Sequence, residues 1–529
     1  MKRIRITGDL VSMMAALIVS LQPAYGDSAN DHLAASQSAE AKGSMVMDTV
    51  HNLADVFGPR LTSSPANRAA AEWAAARMRS WGMANVHLEP WTFGHSGWRN
   101  VRAVGELLTD REQPIKFGVA AWTPGTKGPQ MAEVVIIDPP ETTTATVLDS
   151  YLQSMKASVR GRMVMIGHSR IVTPKDVTPV LDAETLAKIK SGKPVIYQPD
   201  TSSPAILTRR QWNERIDAFL VEAQALVRID DARRPYGAIA ARANRTYDTS
   251  KAVASVVLRN EDYGRIVRLL DDKRLVRMRF DIENASNADG RIAYNVVGDI
   301  TGTEKPDELV ILGAHLDSWQ MATGAADNAV GCAIMMEVGR LIEALHLRPH
   351  RTIRIVLWSG EEEGLLGSQA YVADHFGTFE SPRAGFDRVV AYMNIDGGSG
   401  RIRGANIFGP PEAAAFLNAM LNPVAQLGVE GVIPHSVRHL GSTDATTFSR
   451  AGITSIGLAQ DPLTYPIAWH SDLDTYERID QEQAEQAVIV TASLALALAD
   501  APTIPPKFTG EAMPAPVGPP PAGGSVRRP

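Results

Sequence analysis

The sequence predicts an α/β protein whose central sheet is covered by helices on both faces. From about residue 291 onward, apolar runs alternate with longer segments that carry apolar residues at helical spacing. The runs themselves lack alternating polar residues, which is typical of strands buried on both faces. Residues 107–260 differ, because their short apolar runs are separated by Pro, Thr and Ser clusters. That break in the pattern predicts an inserted β-rich domain.

The chain begins with a segment typical of a signal peptide, residues 1–26. Basic residues precede an apolar run over 10–21, and Ala24-Tyr25-Gly26 offers small residues where a signal peptidase cuts. The run is short for a membrane span, which needs about 20 residues. We therefore expect an exported protein, periplasmic or secreted, without stable membrane insertion. An uncleaved membrane anchor is the alternative.

The rest of the chain is predicted to form one catalytic domain, an insertion and a tail. Two amphipathic helices, over 44–61 and 66–81, open the catalytic domain. A tail rich in Pro, Gly and Ala has no periodicity and is predicted to be disordered. The predicted ranges are 27–106 and 285–500 for the catalytic domain, 107–260 for the insertion and 501–529 for the tail.

Strands and helices alternate regularly in the second part of the catalytic domain. The predicted strands are 295–299, 309–313, 352–358, 389–395 and 454–459. The predicted helices are 329–345, 368–375, 412–427, 445–451 and 481–499. Side chains just past the carboxyl ends of such strands converge at one edge of the sheet, so a functional site is expected there.

The composition excludes several classes of protein. The 529 residues include 53 Lys and Arg against 59 Asp and Glu, a net charge of −6 without long single-sign blocks. A nucleic-acid binder would need a basic face. Cys332 is the only cysteine, so no intramolecular disulfide can form. It falls on the predicted helix 329–345 and is expected to be a core residue.

Imidazole and carboxylate groups gather at the predicted strand ends and in two loops. They are His315, Asp317, Asp327, the run from Glu361 to Glu363, Asp396 and His470. Each alone has an ordinary explanation, such as a helix N-cap, a solvated first helical turn, a structural histidine or an ion pair. As a set, two histidines and at least three carboxylates suit a pair of zinc-type ions and hydrolysis by a metal-bound hydroxide.

Five motifs resemble, in order and spacing, the zinc exopeptidases of metallopeptidase family 28 in clan MH. They are His315-Leu316-Asp317-Ser318-Trp319, Asp327-Asn328-Ala329-Val330-Gly331, Glu361 to Ser368, Asn394-Ile395-Asp396 and Trp469-His470-Ser471. The resemblance covers about residues 45 to 500. The segments Gly58 to Pro65 and Leu316 to Trp319 look most like the carboxypeptidase Q branch, the plasma glutamate carboxypeptidases.

The resemblance implies two Zn²⁺ per chain and a role for each ligand. By this likeness Asp327 bridges both ions. His315 and Asp396 complete one site, and Glu362 and His470 complete the other. Imidazole and carboxylate are the donors that zinc takes in hydrolases.

The resemblance also implies two residues that act beside the metal. The Glu-Glu-x-Gly-Leu pattern of the family, anchored here by Gly364-Leu365, makes Glu361 the general base and Glu363 the variable position. Asp317 is implied to orient the ring of His315. Glu361 would take a proton from a hydroxide-forming water that bridges the ions and pass it to the leaving amine.

The same resemblance implies a mixed central sheet of the zinc aminopeptidase type and a protease-associated-like insertion that walls the cleft. The implied activity is hydrolysis of short peptides or dipeptides, with carboxypeptidase, dipeptidase and aminopeptidase left open. A glutaminyl cyclase-type single-zinc enzyme and a non-catalytic, receptor-like binding module are alternatives, and the complete ligand set with Glu361 disfavours both. A short peptide is the expected partner, and a homodimer remains an alternative to a monomer.

Further polar residues have weaker assignments. Asp444 could order the substrate pocket or cap the helix that begins at Ala445. Arg438 could hold a substrate carboxylate. Trp469 directly precedes His470 and is expected to line the pocket.

Overall fold

A computed structural model describes Leu33, residues 36–38, Glu40 and the ranges 43–172, 179–194 and 205–517. The predicted signal segment, 1–26, lies outside the described residues, as does 518–529 at the end of the predicted tail. None of the helices in the described ranges combines the length and the apolar character that crossing a bilayer requires.

The described chain alternates strands and helices along most of its length. The strands are β1 Ala84–Thr92, β2 Gly97–Leu108, β3 Glu112–Pro114, β4 Phe117–Val119, β5 Gln130–Ile137, β6 Met163–Ile166, β7 Val227–Asp231, β8 Ala254–Leu258, β9 Arg277–Asn287, β10 Ile292–Ile300, β11 Lys305–His315, β12 Arg351–Trp358, β13 Gly377–Thr378, β14 Ser381–Pro382, β15 Val389–Asn394, β16 Ile402–Phe408, β17 Gly431–His435 and β18 Ser455–Gln460. The α-helices are α1 Val46–His51, α2 Pro65–Ser80, α3 Ala145–Val159, α4 Ala183–Ser191, α5 Arg209–Glu222, α6 Asn260–Asp271, α7 Val330–Ala344, α8 Leu366–His375, α9 Pro411–Leu421, α10 Asp444–Ala451, α11 Tyr465–Ala468 and α12 Gln481–Asp500.

The first sheet has eight strands in the order β1-β10-β12-β11-β15-β18-β16-β17. Its centre is parallel, because β11 pairs in parallel with β12 and β15, and β15 pairs in parallel with β18. The β1–β10, β10–β12 and β16–β18 pairs are antiparallel. The prediction of an α/β fold with a mixed central sheet is therefore confirmed.

Strand β11 shows how this sheet is buried on both faces. Val310, Leu312 and Ala314 belong to a core that the sheet forms with α1, α2, α7, α9 and α12. Leu309 and Ile311 point the other way, into a core shared with α8 and α10. Successive strand residues alternate between faces, so the uninterrupted apolar run of this strand is what two covered faces require.

The second sheet also has eight strands, in the order β3-β2-β9-β5-β6-β7-β8-β4. It extends past the predicted range 107–260, because its longest strand pair joins β2, which begins at Gly97, to β9, which ends at Asn287. Helices α3 and α5 pack on it through apolar side chains such as Leu148, Leu152 and Trp212. The segment thus contains helices as well as strands, and the sequence reasoning missed α3 and α5.

The tail differs from its prediction of disorder over 501–529. Residues 501–517 are described, and several of them pack on the first sheet. The Arg351 guanidinium donates to the carbonyl of Ala501 at 2.5 Å, and Lys507 Nζ donates to the carbonyl of Val389 at 2.5 Å. The Phe508 ring lies 5.4 Å from that of Phe408. Composition alone could not reveal these contacts, because each joins the tail to a strand far away in the sequence.

Candidate active site

Strand β11 delivers the first site residue to the carboxyl edge of the sheet. It ends at His315, whose side chain is fully buried. The ring nitrogen Nδ1 lies 3.0 Å from the backbone oxygen of Asp317, and Nε2 lies 3.2 Å from Asp327 Oδ1 and 3.4 Å from Asp396 Oδ1. A backbone carbonyl therefore fixes the orientation of the ring and leaves Nε2 facing two carboxylates.

The loop that leads to Asp327 is held by a buried arginine. The Arg60 guanidinium donates to five backbone carbonyls, those of Leu53, Gly58, Leu316, Thr323 and Gly324. Gly324 has a φ of +66°, and a Cβ there would come within 2.3 Å of the Ser318 side chain. The loop can therefore close over Arg60 only because residue 324 is glycine.

The five predicted metal ligands form two groups that share one carboxylate. His315, Asp327 and Asp396 form the first group, and Asp327, Glu362 and His470 form the second, with the possible ligand atoms of each group within 4.8 Å of one another. Oδ1 of Asp327 faces His315, whereas Oδ2 lies 3.4 Å from His470 Nε2. His470 Nε2 is also 2.8 Å from Glu362 Oε2. Each oxygen of Asp327 thus serves a different group.

Asp317 lies beside His315 but makes a different contact from the one that the sequence suggested. Its carboxylate stays 3.8 Å from His315 Nδ1. It accepts instead the N–H groups of Glu361 and Glu362, at 3.3 and 3.2 Å, and the Thr62 hydroxyl at 2.9 Å. Asp317 therefore positions the turn that carries Glu361 and Glu362, and its backbone oxygen orients the histidine.

The charges of the site favour a cation at its centre. Burial lowers the pKa of His315, but hydrogen bonds to Asp327 and Asp396 outweigh burial and raise it well above 6.5. Burial raises the pKa of the Glu361 carboxyl well above 4.5, and the neighbouring carboxylates of Asp396 and Glu362 raise it further. Carboxylates crowded out of water stabilise any positive charge placed between them.

The number and type of these residues fit zinc, and so do their buried oxygens that lack hydrogen-bond partners. Among the described residues, the buried oxygens Asp327 Oδ2 and Glu362 Oε1 have no hydrogen-bond partner. Both line a cavity of about 10 Å³ together with His470 and Trp319. Buried acceptors are normally satisfied, and nitrogen and oxygen donors with this spacing suit a zinc-type ion.

Sequence reasoning missed two residues that contact this site. The Tyr465 hydroxyl donates to Asp327 Oδ1 at 3.2 Å and to Asp396 Oδ1 at 3.3 Å. Asp474 accepts the backbone N–H of Asp327 at 3.1 Å. Tyr465 and Asp474 lie on either side of His470 in the sequence, so the loop that carries this histidine was the one available signal.

A segment of the connection between β7 and β8 holds the His470 loop in place. Ala241 N donates to the carbonyl of His470 at 2.8 Å, and Ala240 forms a β-bridge with Ser471. Asp472 Oδ1 accepts the N–H of Ile239 at 2.7 Å. Residues 239–241 therefore act as a clamp on the backbone that presents His470.

The structure supports the expected roles of Trp469, Asp444 and Arg438 to different extents. The ring of Trp469 stacks on that of His470 at 3.9 Å and is 39% exposed, so it flanks the site. Asp444 is buried, and one of its oxygens has no hydrogen-bond partner among the described residues. Arg438 forms an ion pair with Glu380 at 2.6 Å, so its charge is already engaged.

Comparison with known proteins places this geometry among peptidases. The family model described as Peptidase family M28 matches residues 295–495. Carboxypeptidase Q of Homo sapiens is 26% identical over 461 residues, which cover 85% of this chain and 84% of the human protein. Carboxypeptidase Q of Rattus norvegicus is 25% identical, with the same two shares.

Solved structures agree with this assignment. A Peptidase M28 precursor from Shewanella amazonensis SB2B superposes with a TM-score of 0.65 and 25% identity, covering 91% of this chain and all of that one. The zinc aminopeptidase BSAP from Bacillus subtilis, at 18% identity, shares the fold with a TM-score of 0.54, covering 85% of this chain and 93% of its own.

The fold, the ligand groups and these likenesses define a metallopeptidase, a hydrolase of peptide bonds, whose donor residues fit zinc. The five candidate metal ligands, Asp317 and Glu361 all lie within the matched residues. Residues 295–495 match peptidase family M28, and over most of its length the chain is similar to carboxypeptidase Q. The resemblance that the five motifs suggested is confirmed.

Proposed function

We propose that this protein is a dinuclear zinc exopeptidase that hydrolyses short peptides or dipeptides. The observation that carries the proposal is the position of Asp327, whose two carboxylate oxygens face two separate ligand groups. His315 and Asp396 would hold one ion, and Glu362 and His470 the other. A bridging carboxylate suits two ions about 3.5–4 Å apart, the separation found in two-metal hydrolases.

Each residue of the site has a distinct task in this proposal. Two bound zinc ions would supply a hydroxide nucleophile at neutral pH and polarise the scissile carbonyl. The Glu361 carboxylate would take the proton of the attacking water and deliver it to the leaving amine nitrogen. Asp317 would hold Glu361 and Glu362 in position through their N–H groups. Trp469 would line the cleft beside His470.

Three broader features belong to the same proposal. Export by the segment 1–26 would place the enzyme in the periplasm or outside the cell. The chain would divide into two catalytic segments around an insertion that walls the cleft and that extends from the predicted 107–260 to include β2 and β9. Analytical ultracentrifugation would decide between a monomer and a homodimer.

Zinc stoichiometry tests the proposal most directly. Elemental analysis of the purified protein should give two zinc ions per chain. Asp327→Ala should lose at least one ion, while the exposed control Asp307→Ala should keep both. A single ion in the native protein, or full retention in Asp327→Ala, contradicts the dinuclear assignment.

Substrate blocking decides which end of the peptide the enzyme needs. The zinc-loaded protein should be assayed with one dipeptide, its N-acetyl form and its C-terminal amide. Loss of cleavage on acetylation alone identifies an aminopeptidase, loss on amidation alone a carboxypeptidase, and loss on both a dipeptidase. Cleavage of none of the three contradicts the proposed activity.

A further inference from the structure

A second cavity, of about 330 Å³, opens next to the turn that carries the site glutamates. Its lining includes Trp91, Phe93, Arg210, Tyr247 and Glu363. Glu363 directly follows Glu362, a proposed zinc ligand, so the cavity adjoins the site without containing it. The cavity is large enough for an amino-acid side chain.

The carboxylate of Glu363 is the unusual feature of this cavity. The residue is only 9% exposed, and neither carboxylate oxygen has a hydrogen-bond partner among the described residues. Two nearby donors are already used, because the Thr62 hydroxyl donates to Asp317 and Arg245 Nη1 donates to the Glu362 carbonyl. A buried carboxylate without a partner is costly, so a ligand that supplies a donor or a positive charge would be stabilised here.

Four aromatic rings line the cavity beside Glu363, those of Trp91, Phe93, His95 and Tyr247. The Phe93 ring lies 6.0 Å from that of Trp91 and 5.3 Å from that of Tyr247. The His95 ring lies 4.9 Å from that of Tyr247. The negative faces of aromatic rings attract cations such as ammonium and guanidinium groups. The rings and the carboxylate therefore favour the same kind of ligand.

Arg210 also lines the cavity and carries a positive charge, but its contacts show why it does not pair with the Glu363 carboxylate. Arg210 Nε lies 2.8 Å from the carboxylate of Glu214, and Nη2 donates to the carbonyl of Arg245 at 3.1 Å. Arg210 is therefore neutralised by Glu214 on its own helix, α5, and leaves the Glu363 carboxylate unpaired.

We propose that this cavity binds the cationic side chain of a peptide substrate, lysine or arginine, between the Glu363 carboxylate and the rings of Trp91, Phe93 and Tyr247. The inference deepens the proposed peptidase function and rests on it, because a peptide bound here is a substrate only if the protein cleaves peptides. It makes the enzyme selective for peptides with a basic residue.

Binding of a small cation tests the cavity apart from catalysis. The probe is n-butylguanidinium, and its uncharged counterpart is n-butylurea, each titrated calorimetrically into the zinc-loaded full chain. We expect the cation to bind at least tenfold more tightly than the urea. Glu363→Gln should remove the difference, Phe93→Leu should weaken cation binding about two- to fivefold, and the exposed control Glu184→Gln should change nothing. Equal binding of both probes, or an unchanged difference in Glu363→Gln, overturns the proposal.

Kinetics then tests the link to the substrate. Lys-Ala and Ala-Lys are compared with the norleucine dipeptides Nle-Ala and Ala-Nle, which lack only the side-chain ammonium. In one of the two orders, kcat/KM should be at least tenfold higher for lysine, and Phe93→Leu should reduce that ratio while zinc content stays at the native value. A ratio near one in both orders overturns the proposal. If guanidinium binds but no dipeptide is cleaved, the peptidase function fails and the cation site stands.

Discussion

The carboxylate of Asp474 accepts the backbone N–H of Asp327 at 3.1 Å, across 147 residues of sequence. The same carboxylate accepts the N–H of Ala326 at 2.6 Å. Burial, together with the nearby Asp327 carboxylate, raises the pKa of Asp474 to about 7. Asp474 thus fixes the short stretch of backbone from which the shared carboxylate projects.

Asp474→Asn should weaken zinc binding without unfolding the protein. An amide offers one acceptor where the carboxylate offers two, so its NH₂ group would face a backbone N–H. We expect a 10- to 100-fold loss of zinc affinity, the range seen when a residue that supports a metal ligand is changed. Competition with a chelator measures it, and the exposed Asp307→Asn is the control. Native affinity in Asp474→Asn would show that this contact does not position Asp327.

Glu361→Gln should separate zinc binding from turnover. The amide keeps the shape of the side chain but cannot accept the proton of the attacking water. We expect both zinc ions to remain and kcat to fall at least 100-fold, as expected for loss of a general base. Elemental analysis and steady-state kinetics on one dipeptide measure the two effects. Near-normal turnover would refute the role of Glu361.

Arg60→Lys should destabilise the metal-free protein. Lysine has three donors where the Arg60 guanidinium serves five carbonyls. Because two buried carbonyls lose their donor and each costs about 1–3 kcal/mol, we expect the free energy of unfolding to fall by about 2–6 kcal/mol. Urea denaturation in a chelator measures this, with Arg102→Lys as the exposed control. Equal stability of the two variants would contradict the role given to Arg60.

Asp472→Ala should loosen the loop of His470. The substitution removes the acceptor for Ile239 N–H and the 2.6 Å ion pair with Lys116. We expect one of the two zinc ions to bind about tenfold more weakly, as measured by stepwise removal with a chelator. Lys116→Met removes only the ion pair and should have a smaller effect. If both ions are retained equally in Asp472→Ala, the Asp472 side chain does not hold the His470 loop.

Because His435 is partly buried, we expect the free energy of unfolding to fall in mild acid. Burial lowers the pKa of its imidazole to about 4, with a smaller contribution from His439, and Nε2 lies 3.0 Å from Asn406 Oδ1. The unfolded chain, with an ordinary pKa near 6.5, takes up the proton first as the pH falls, so this part of the stability is present above pH 6.5 and is lost towards pH 4. Between pH 7 and pH 5 the loss is about 2 kcal/mol.

Replacing the histidine tests that pH dependence. His435→Gln should flatten the change in free energy of unfolding between pH 7 and pH 5 by about 2 kcal/mol. The exposed His168→Gln should leave the change as it is in the native protein. Denaturant titrations at the two pH values measure both, and parallel curves for the two variants would contradict the assignment.

The central strands were predictable because a strand that is buried on both faces consists of consecutive apolar residues. Within the first sheet, the strands that sequence reasoning missed, β1, β16 and β17, lie at or beside its edges. Strand β1 contains Pro90 and β17 contains Pro434. Proline cannot donate to a neighbouring strand and is tolerated at sheet edges. From sequence alone, a strand that contains proline is easily assigned to a loop.

The site was predictable to the extent that it follows strand ends. His315 and Asp396 lie at or just after such ends, and local sequence marks both. Arg60, Tyr465 and Asp474 support the same site, but no local pattern assigns a role to any of them. Their contacts depend on how distant segments fold together.

The packed segment after α12 sets a practical limit on shortening the protein. Composition would suggest a cut near residue 500, which keeps every residue of the site. Such a cut would uncover Phe408 and remove the donor that Lys507 gives to Val389, at the start of the strand that leads to Asp396. Affinity tags and truncations should therefore begin after residue 517.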